Sequence, residues 1–173
     1  MQLPYNLAQQ SKQEYMQIFG NLYEHSPWVA ESTYDSVLNS SVYNNLVDFH
    51  TLLSGNMLAS DGDLQEDLIK SHPMLAGKKA QKNELTEFST SEQKSAGLND
   101  GTEGEVTLFQ ELNHQYIDKF GFPFIMAIKE KNKSEIKAGF IERQSNSMKQ
   151  EKQNALAEIN KIAWLRIKEI YGI

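Results

Sequence analysis

The sequence predicts an all-α chain, a single compact domain of about seven to nine helices. Three observations carry that expectation. Apolar residues recur at helical spacing along much of the 173 residues, helix-start signatures precede several of these runs, and the four prolines and ten glycines sit mostly between them. No internal repeat and no linker divides the chain, and its length suffices for one core.

Ser11 and Glu14 have capping-box spacing, and Tyr15, Ile18, Phe19 and Leu22 follow at helical intervals, so a first helix is expected over 11–23. His25-Ser26-Pro27-Trp28 breaks it, with Ser26 as N-cap and Pro27 at the first position of a short second helix. Trp28 is expected in the core. Leu46, Val47, Phe49, His50, Leu52 and Leu53 predict a third helix over about 41–57, in which His50 reads as a core histidine. Ser60-Asp61-Gly62-Asp63 is a turn into a helix over 63–70. Its Asp-x-Asp start is not a calcium loop, because Glu66 and His72 stand where such a loop needs Gly and Glu.

Residues 75–87 are polar and irregular, and Lys78, Lys79 and Lys82 read as a solvated turn. Ser89 and Glu92 again have capping-box spacing, which predicts that Ser89 caps a short helix ending at Ala96-Gly97. The same exposed helix start has a second reading, in which its N–H groups and a carboxylate serve an anionic or urea-like ligand. Val106, Leu108, Phe109, Leu112, Tyr116 and Phe120 mark a long amphipathic helix that Gly121 ends. Within it Glu111 and His114 have the spacing used in di-iron bundles, but only one copy is present, so a surface pair is expected.

The stretch 122–128 is the most apolar of the chain, and Pro123 argues against a central strand or a helix interior. A buried extended segment is expected, whose backbone groups need partners in the core or on a polar ligand. Helices over 133–143 and 148–171 complete the chain. On the last, Arg166 shares a face with Ile159, Ile162, Ala163 and Ile170. A guanidinium there either snorkels to the surface or is buried against a carboxylate, a peptide carbonyl or a bound anion.

His72 stands at the exit of the helix over 63–70, pushed out of helical geometry by Pro73. An imidazole so placed can exchange a proton near neutrality. The plainer reading is a helix C-terminal residue favoured by the dipole, with Pro73 as a stop signal.

Composition excludes several classes. A net charge of −6 argues against a nucleic-acid surface. The lack of cysteine rules out disulfides, thiolate catalysis and cysteine-ligated metal centres. The start of the sequence shows no basic region followed by an apolar run, no segment approaches membrane-spanning length, and the end is not Ser-Lys-Leu, so a cytoplasmic protein is expected.

Four motifs occur in order: His-Pro-x-Leu-Ala-Gly-Lys over 72–78, Ser-x-x-Glu-Gln-x-x-Ala-Gly-Leu over 89–98, Lys-Phe-Gly-Phe-Pro-Phe-Ile over 119–125, and Glu-Ile-x-x-Ile-Ala-x-x-Arg over 158–166. Together they strongly resemble the OHCU decarboxylases, which act on 2-oxo-4-hydroxy-4-carboxy-5-ureidoimidazoline in urate breakdown. The resemblance covers essentially the whole chain. It implies an all-helical, homodimeric enzyme that needs no metal or organic cofactor, releases carbon dioxide to give (S)-allantoin, and has a small-molecule substrate with neither nucleic acid nor membrane as partner.

By motif, His72 matches the family's catalytic histidine and Pro73 its substrate-contacting neighbour. Ser89, Thr90, Ser91, Glu92 and Gln93 match the segment that holds substrate, with Glu92 as its acidic member. Phe124, Ile125, Met126, Ala127 and Ile128 match the segment whose backbone contacts the ring, and Arg166 matches the arginine of the last helix. His72, Glu92 and Arg166 are thus the implied catalytic set, expected to line one pocket. Met74, where the family commonly has a polar residue, and the lysine-rich stretch 129–133, in place of a tighter glycine-containing turn, depart from the pattern. Two other classes compete: a catalytically inactive helical ligand-binding or interaction module, and a hydrolase of a related ureido compound, which would need an activated water.

Overall fold

Caps and apolar periodicity produce nine α-helices and one short 3-10 helix among the described residues, which are 1–76, 85–98 and 100–173 of the computed structural model, and no strand occurs among them. The lysine cluster at Lys78, Lys79 and Lys82, and the Gly77-Lys78 end of the first motif, lie outside the described residues. The helices are α1 Pro4–Gln10, α2 Lys12–Phe19, α3 Trp28–Leu38, the 3-10 helix Ser41–Asn44, α4 Leu46–Ala59, α5 Gly62–Ser71, α6 Glu87–Ser95, α7 Glu103–Phe120, α8 Lys133–Arg143 and α9 Met148–Tyr171.

Several boundaries differ from the sequence expectation, and three of them have a clear local reason. Ser11 caps α2 as expected, accepting the Glu14 N–H at 3.3 Å, but α2 stops at Phe19, where Gly20-Asn21 is a poor continuation. Pro27 itself occupies the N-cap of α3, so the start lies one residue later than a Ser26 cap predicts. The helix expected over 41–57 is divided at Asn45, whose extended backbone leaves its side chain free to accept the N–H groups of Val47 and Asp48 at 2.9 and 3.3 Å.

The chain packs into two compact units, Met1–Ser71 with Asn160–Ile173, and His72–Ile159. The first is built on an aromatic cluster in which the Tyr15 ring lies edge-on to Phe19 at 5.0 Å and to Tyr34 at 5.2 Å, while Phe19 meets Phe49 at 4.8 Å. Val29, Val37, Leu53, Leu68 and Ile167 bury around it. The second unit has its own aromatic core, in which Phe124 stacks on Phe140 at 3.9 Å and meets Tyr116 edge-on at 5.2 Å. Gly139 of α8 admits the Met126 side chain, since a Cβ there would lie 2.3 Å from the Met126 methyl. Helix α9 contributes its first half to this second unit and its second half to the first.

Candidate functional site

His72 is the first residue of the second unit and is 7% exposed. The chain before it is fixed in the first unit, because Ser71 Oγ donates to the carbonyls of Leu68 at 2.7 Å and Glu24 at 2.8 Å. The chain after it is fixed by two side-chain amides. Gln93 Oε1 accepts the Ala76 N–H at 3.0 Å, Gln93 Nε2 donates to the Met74 carbonyl at 3.4 Å, and Asn113 Nδ2 donates to the Leu75 carbonyl at 2.8 Å. Ala76 carries φ +52, a left-handed conformation that costs an L-residue about 1–2 kcal/mol.

Thr86, not Ser89, caps α6: its side chain accepts the Ser89 N–H at 3.3 Å. Ser89 therefore sits inside the first turn, and the Ser89–Glu92 spacing is not a capping box. The shift has a structural effect. Ser89 and Gln93, one helical turn apart, form the buried face of α6, Thr90 and Glu92 are half-buried beside it, and Ser91 is exposed.

The apolar stretch is buried as expected and belongs to no helix or strand, with Phe122, Pro123, Phe124, Ile125, Ala127 and Ile128 inside and Met126 half-buried. Its backbone finds side-chain partners. The Ile125 carbonyl accepts from Arg143 Nη1 at 2.6 Å, and the Ala127 N–H donates to Glu158 Oε2 at 2.8 Å. Arg143 is fixed in turn by Glu151, with Nε at 3.0 Å and Nη2 at 2.9 Å from Oε2, and lies over the Phe124 ring at 4.5 Å. Glu151 is fully buried and accepts also from Tyr116, from Asn146 at 2.7 Å and from Asn154 at 2.8 Å. Burial by itself would raise its carboxyl pKa, but the bonds from Arg143, Tyr116, Asn146 and Asn154 outweigh it and hold the group below the usual carboxylate range. Burial and the adjacent carboxylate push the Tyr116 phenol up.

In the first unit, Arg166 is 1% exposed, so it does not snorkel. Its Nη2 donates to Glu24 Oε2 at 3.0 Å and its Nη1 to the carbonyls of Leu22 at 3.3 Å and Asn21 at 3.4 Å. His50 is held as a half-buried core histidine, with Nε2 at 2.9 Å from the Asn160 carbonyl and its pKa lowered by burial.

The candidates thus divide. His72, Pro73, the 89–93 segment and the 124–128 segment belong to the second unit, and Arg166 belongs to the first. Glu111 and His114 are both exposed on α7. A small depression floored by Ala76 and Phe109 holds none of the candidates, and the Lys133–Glu105 ion pair at its rim, at 3.0 Å, neutralises its charge. Glu24, Asn113 and Arg143 carry much of this geometry and were not singled out by sequence, and Glu158 entered only as the first residue of the fourth motif. Glu24 has a signal of its own, a carboxylate directly after the apolar pair Leu22-Tyr23 in the stretch that leaves α2.

The OHCU decarboxylase family profile matches residues 8–168. The chain is 37% identical over 165 residues to the uric acid degradation bifunctional protein PucL of Bacillus subtilis strain 168, covering 95% of this chain and 32% of that protein. It is 34% identical over 165 residues to the 2-oxo-4-hydroxy-4-carboxy-5-ureidoimidazoline decarboxylase of Halalkalicoccus jeotgali, covering 95% and 89%. The chain thus spans about a third of the bifunctional relative and nearly all of the other. Among solved structures it is similar to an (S)-allantoin synthase, with a TM-score of 0.75 and 25% identity over 98% of this chain and 54% of that one. An OHCU decarboxylase crystallised in the presence of (S)-allantoin shares the fold, with a TM-score of 0.67 and coverage of 86% and 94%. A profile match over most of the chain, with the helical fold to go with it, shows that this chain belongs to the OHCU decarboxylase family.

Proposed function

We propose that the chain decarboxylates 2-oxo-4-hydroxy-4-carboxy-5-ureidoimidazoline to (S)-allantoin in urate breakdown, as a carbon–carbon lyase that works without a cofactor. Family membership over residues 8–168 carries this reading. The chemistry fits the side chains. Cleavage of the bond from ring carbon 4 to the carboxylate releases carbon dioxide, and its electron pair passes into the adjacent carbon–nitrogen double bond of the imidazoline, leaving carbons 4 and 5 joined by a double bond with the hydroxyl still on carbon 4, an enol or its enolate. A proton is then delivered to carbon 5, which bears the ureido group, while the hydroxyl on carbon 4 gives up its proton and becomes the product's carbonyl; delivery from one face sets the stereocentre at carbon 5.

In this reading His72 moves the proton, its buried position keeping the imidazole away from bulk water. Glu92 orients the ureido N–H groups, with Ser89 and Pro73 around the substrate and the backbone of 124–128 against the ring. Arg166, oriented by Glu24, supplies the positive charge that stabilises the enolate or carboxylate oxygen. Following the family resemblance, we place it in the cytoplasm as a homodimer; no helix among the described residues is long and apolar enough to cross a membrane.

The test generates the substrate in situ from urate, adds the protein, and follows substrate loss together with the circular dichroism of allantoin. Accelerated loss with one-handed product is expected. An unchanged rate and racemic product would discard the reading.

A further inference from the structure

We propose that Gln93 and Asn113 are positioning residues for the reaction, two buried amides that clamp the turn after His72-Pro73 through its backbone. The proposal rests on the reading of His72 as the proton-transfer group. Three consecutive residues of an irregular segment are held at one polar group each: the Met74 carbonyl by Gln93 Nε2, the Leu75 carbonyl by Asn113 Nδ2, and the Ala76 N–H by Gln93 Oε1. The two amides come from different helices, α6 and α7, and are 1% and 2% exposed. Between them they serve backbone groups that no helix or strand satisfies.

The orientation of Asn113 shows which of its atoms matter. Nδ2 donates to both Leu75 and Phe109 carbonyls at 2.8 Å, while Oδ1 is buried with no hydrogen-bond partner among the described residues. Burying a bare acceptor is unfavourable, so the amide is set by its donors, and the donor bond that reaches beyond its own helix is the one to Leu75. Gln93 is likewise committed at both ends of its amide. Its role is then to shape the turn, where family resemblance alone would place it against substrate. Ala76 at φ +52 is the residue that a released turn would relax first.

The experiment compares Asn113→Asp and Gln93→Met with the unsubstituted protein in kcat, KM, thermal midpoint and the hydrogen-exchange rate of the Ala76 amide. Asn113→Asp keeps the shape and removes the N–H donors. It is expected to lower kcat at least about 10-fold at pH 8 with KM within about 3-fold, since small misplacements of a reacting group are felt mainly in the transition state. Towards acidic pH, protonation of the introduced carboxyl restores one donor for Leu75, and kcat recovers relative to the unsubstituted protein. A residue that only supports the fold would show no such recovery. Gln93→Met is expected to accelerate Ala76 exchange and lower kcat, again with little change in KM. A rise in KM at constant kcat would mark Gln93 as a substrate contact and overturn its part. Activity falling only with the folded fraction, or Ala76 exchange unchanged in both variants, would overturn the clamp. Absence of turnover in the unsubstituted protein would instead overturn the reaction, and the Ala76 exchange rates would still decide whether the amides hold the turn.

Discussion

Arg166 and Glu24 face each other at 3.0 Å with both side chains 2% exposed, a buried ion pair completed by the carbonyls of Leu22 and Asn21. Removing one member leaves the other charged and desolvated, so Arg166→Met or Glu24→Gln should each cost about 3–5 kcal/mol in chemical denaturation. The double change Glu24→Leu with Arg166→Met should recover much of that stability and none of the activity. Recovery of both would show that the pair serves the fold alone, and a single-variant loss under about 1 kcal/mol would contradict the buried-pair reading.

His72→Ala and Glu92→Gln separate the proposed proton-transfer and orienting roles. The first should reduce turnover by about 100-fold or more and leave the product less one-handed, because general acid–base groups contribute about that much. The second should raise KM more than it lowers kcat if Glu92 grips the ureido group in the ground state. Near-normal activity in His72→Ala would remove it from the chemistry.

Glu151 makes a prediction about acid. Its pKa is lower folded than unfolded, so its contribution is complete above the ordinary carboxyl value of about 4.3 and is lost as pH falls through the folded value. The denaturation midpoint should fall on acidification below about pH 5. Glu151→Gln should be less stable at neutral pH and flatter in that acid range, and an equal slope for both proteins would assign the acid sensitivity elsewhere.

Glu130 has φ +71 in the turn between the apolar stretch and α8, within the lysine-rich 129–133 stretch that replaces the family's glycine-containing turn. It is exposed and stands in the left-handed region. Glu130→Gly should stabilise the protein by up to about 1 kcal/mol, the relief of conformational strain less the extra freedom of an unfolded glycine. A lower thermal midpoint would show that the Glu130 side chain contributes more than the strain removes.

Legibility followed the range of the interaction. Helices α8 and α9 have the boundaries that sequence gives them, because Asn132 with Glu135 forms a true capping box and the apolar stripe of α9 is long. Gly121 ends α7 at φ +73, as expected from its place. Arg166 was legible as a cation on an apolar stripe with snorkelling and burial both open; it is buried, against a carboxylate and two peptide carbonyls. Its partner's identity was not legible, since Glu24 lies far away in sequence. Helix α1 escaped because it is short, has no side-chain cap, and is held at its start by the Asn44 side chain accepting from Tyr5 N–H at 3.1 Å. Ser89 misled because a Ser-x-x-Glu spacing followed Thr86 within the same turn. Asn113 was hidden by its neighbours: a polar residue on the core stripe of α7 declares a partner only when the backbone of residue 75 is folded against it.

The bonds that Arg143 and Glu158 make to the apolar stretch reach further than the groups they touch. A cation on the Ile125 carbonyl withdraws electron density through that peptide, which makes the Met126 N–H a stronger donor. A carboxylate on the Ala127 N–H pushes density through the next peptide, which makes the Met126 carbonyl a stronger acceptor. The two charged side chains therefore polarise successive peptide units in a complementary sense. Met126, whose side chain is an ordinary apolar one, carries at its backbone a donor and an acceptor that are both sharpened from behind.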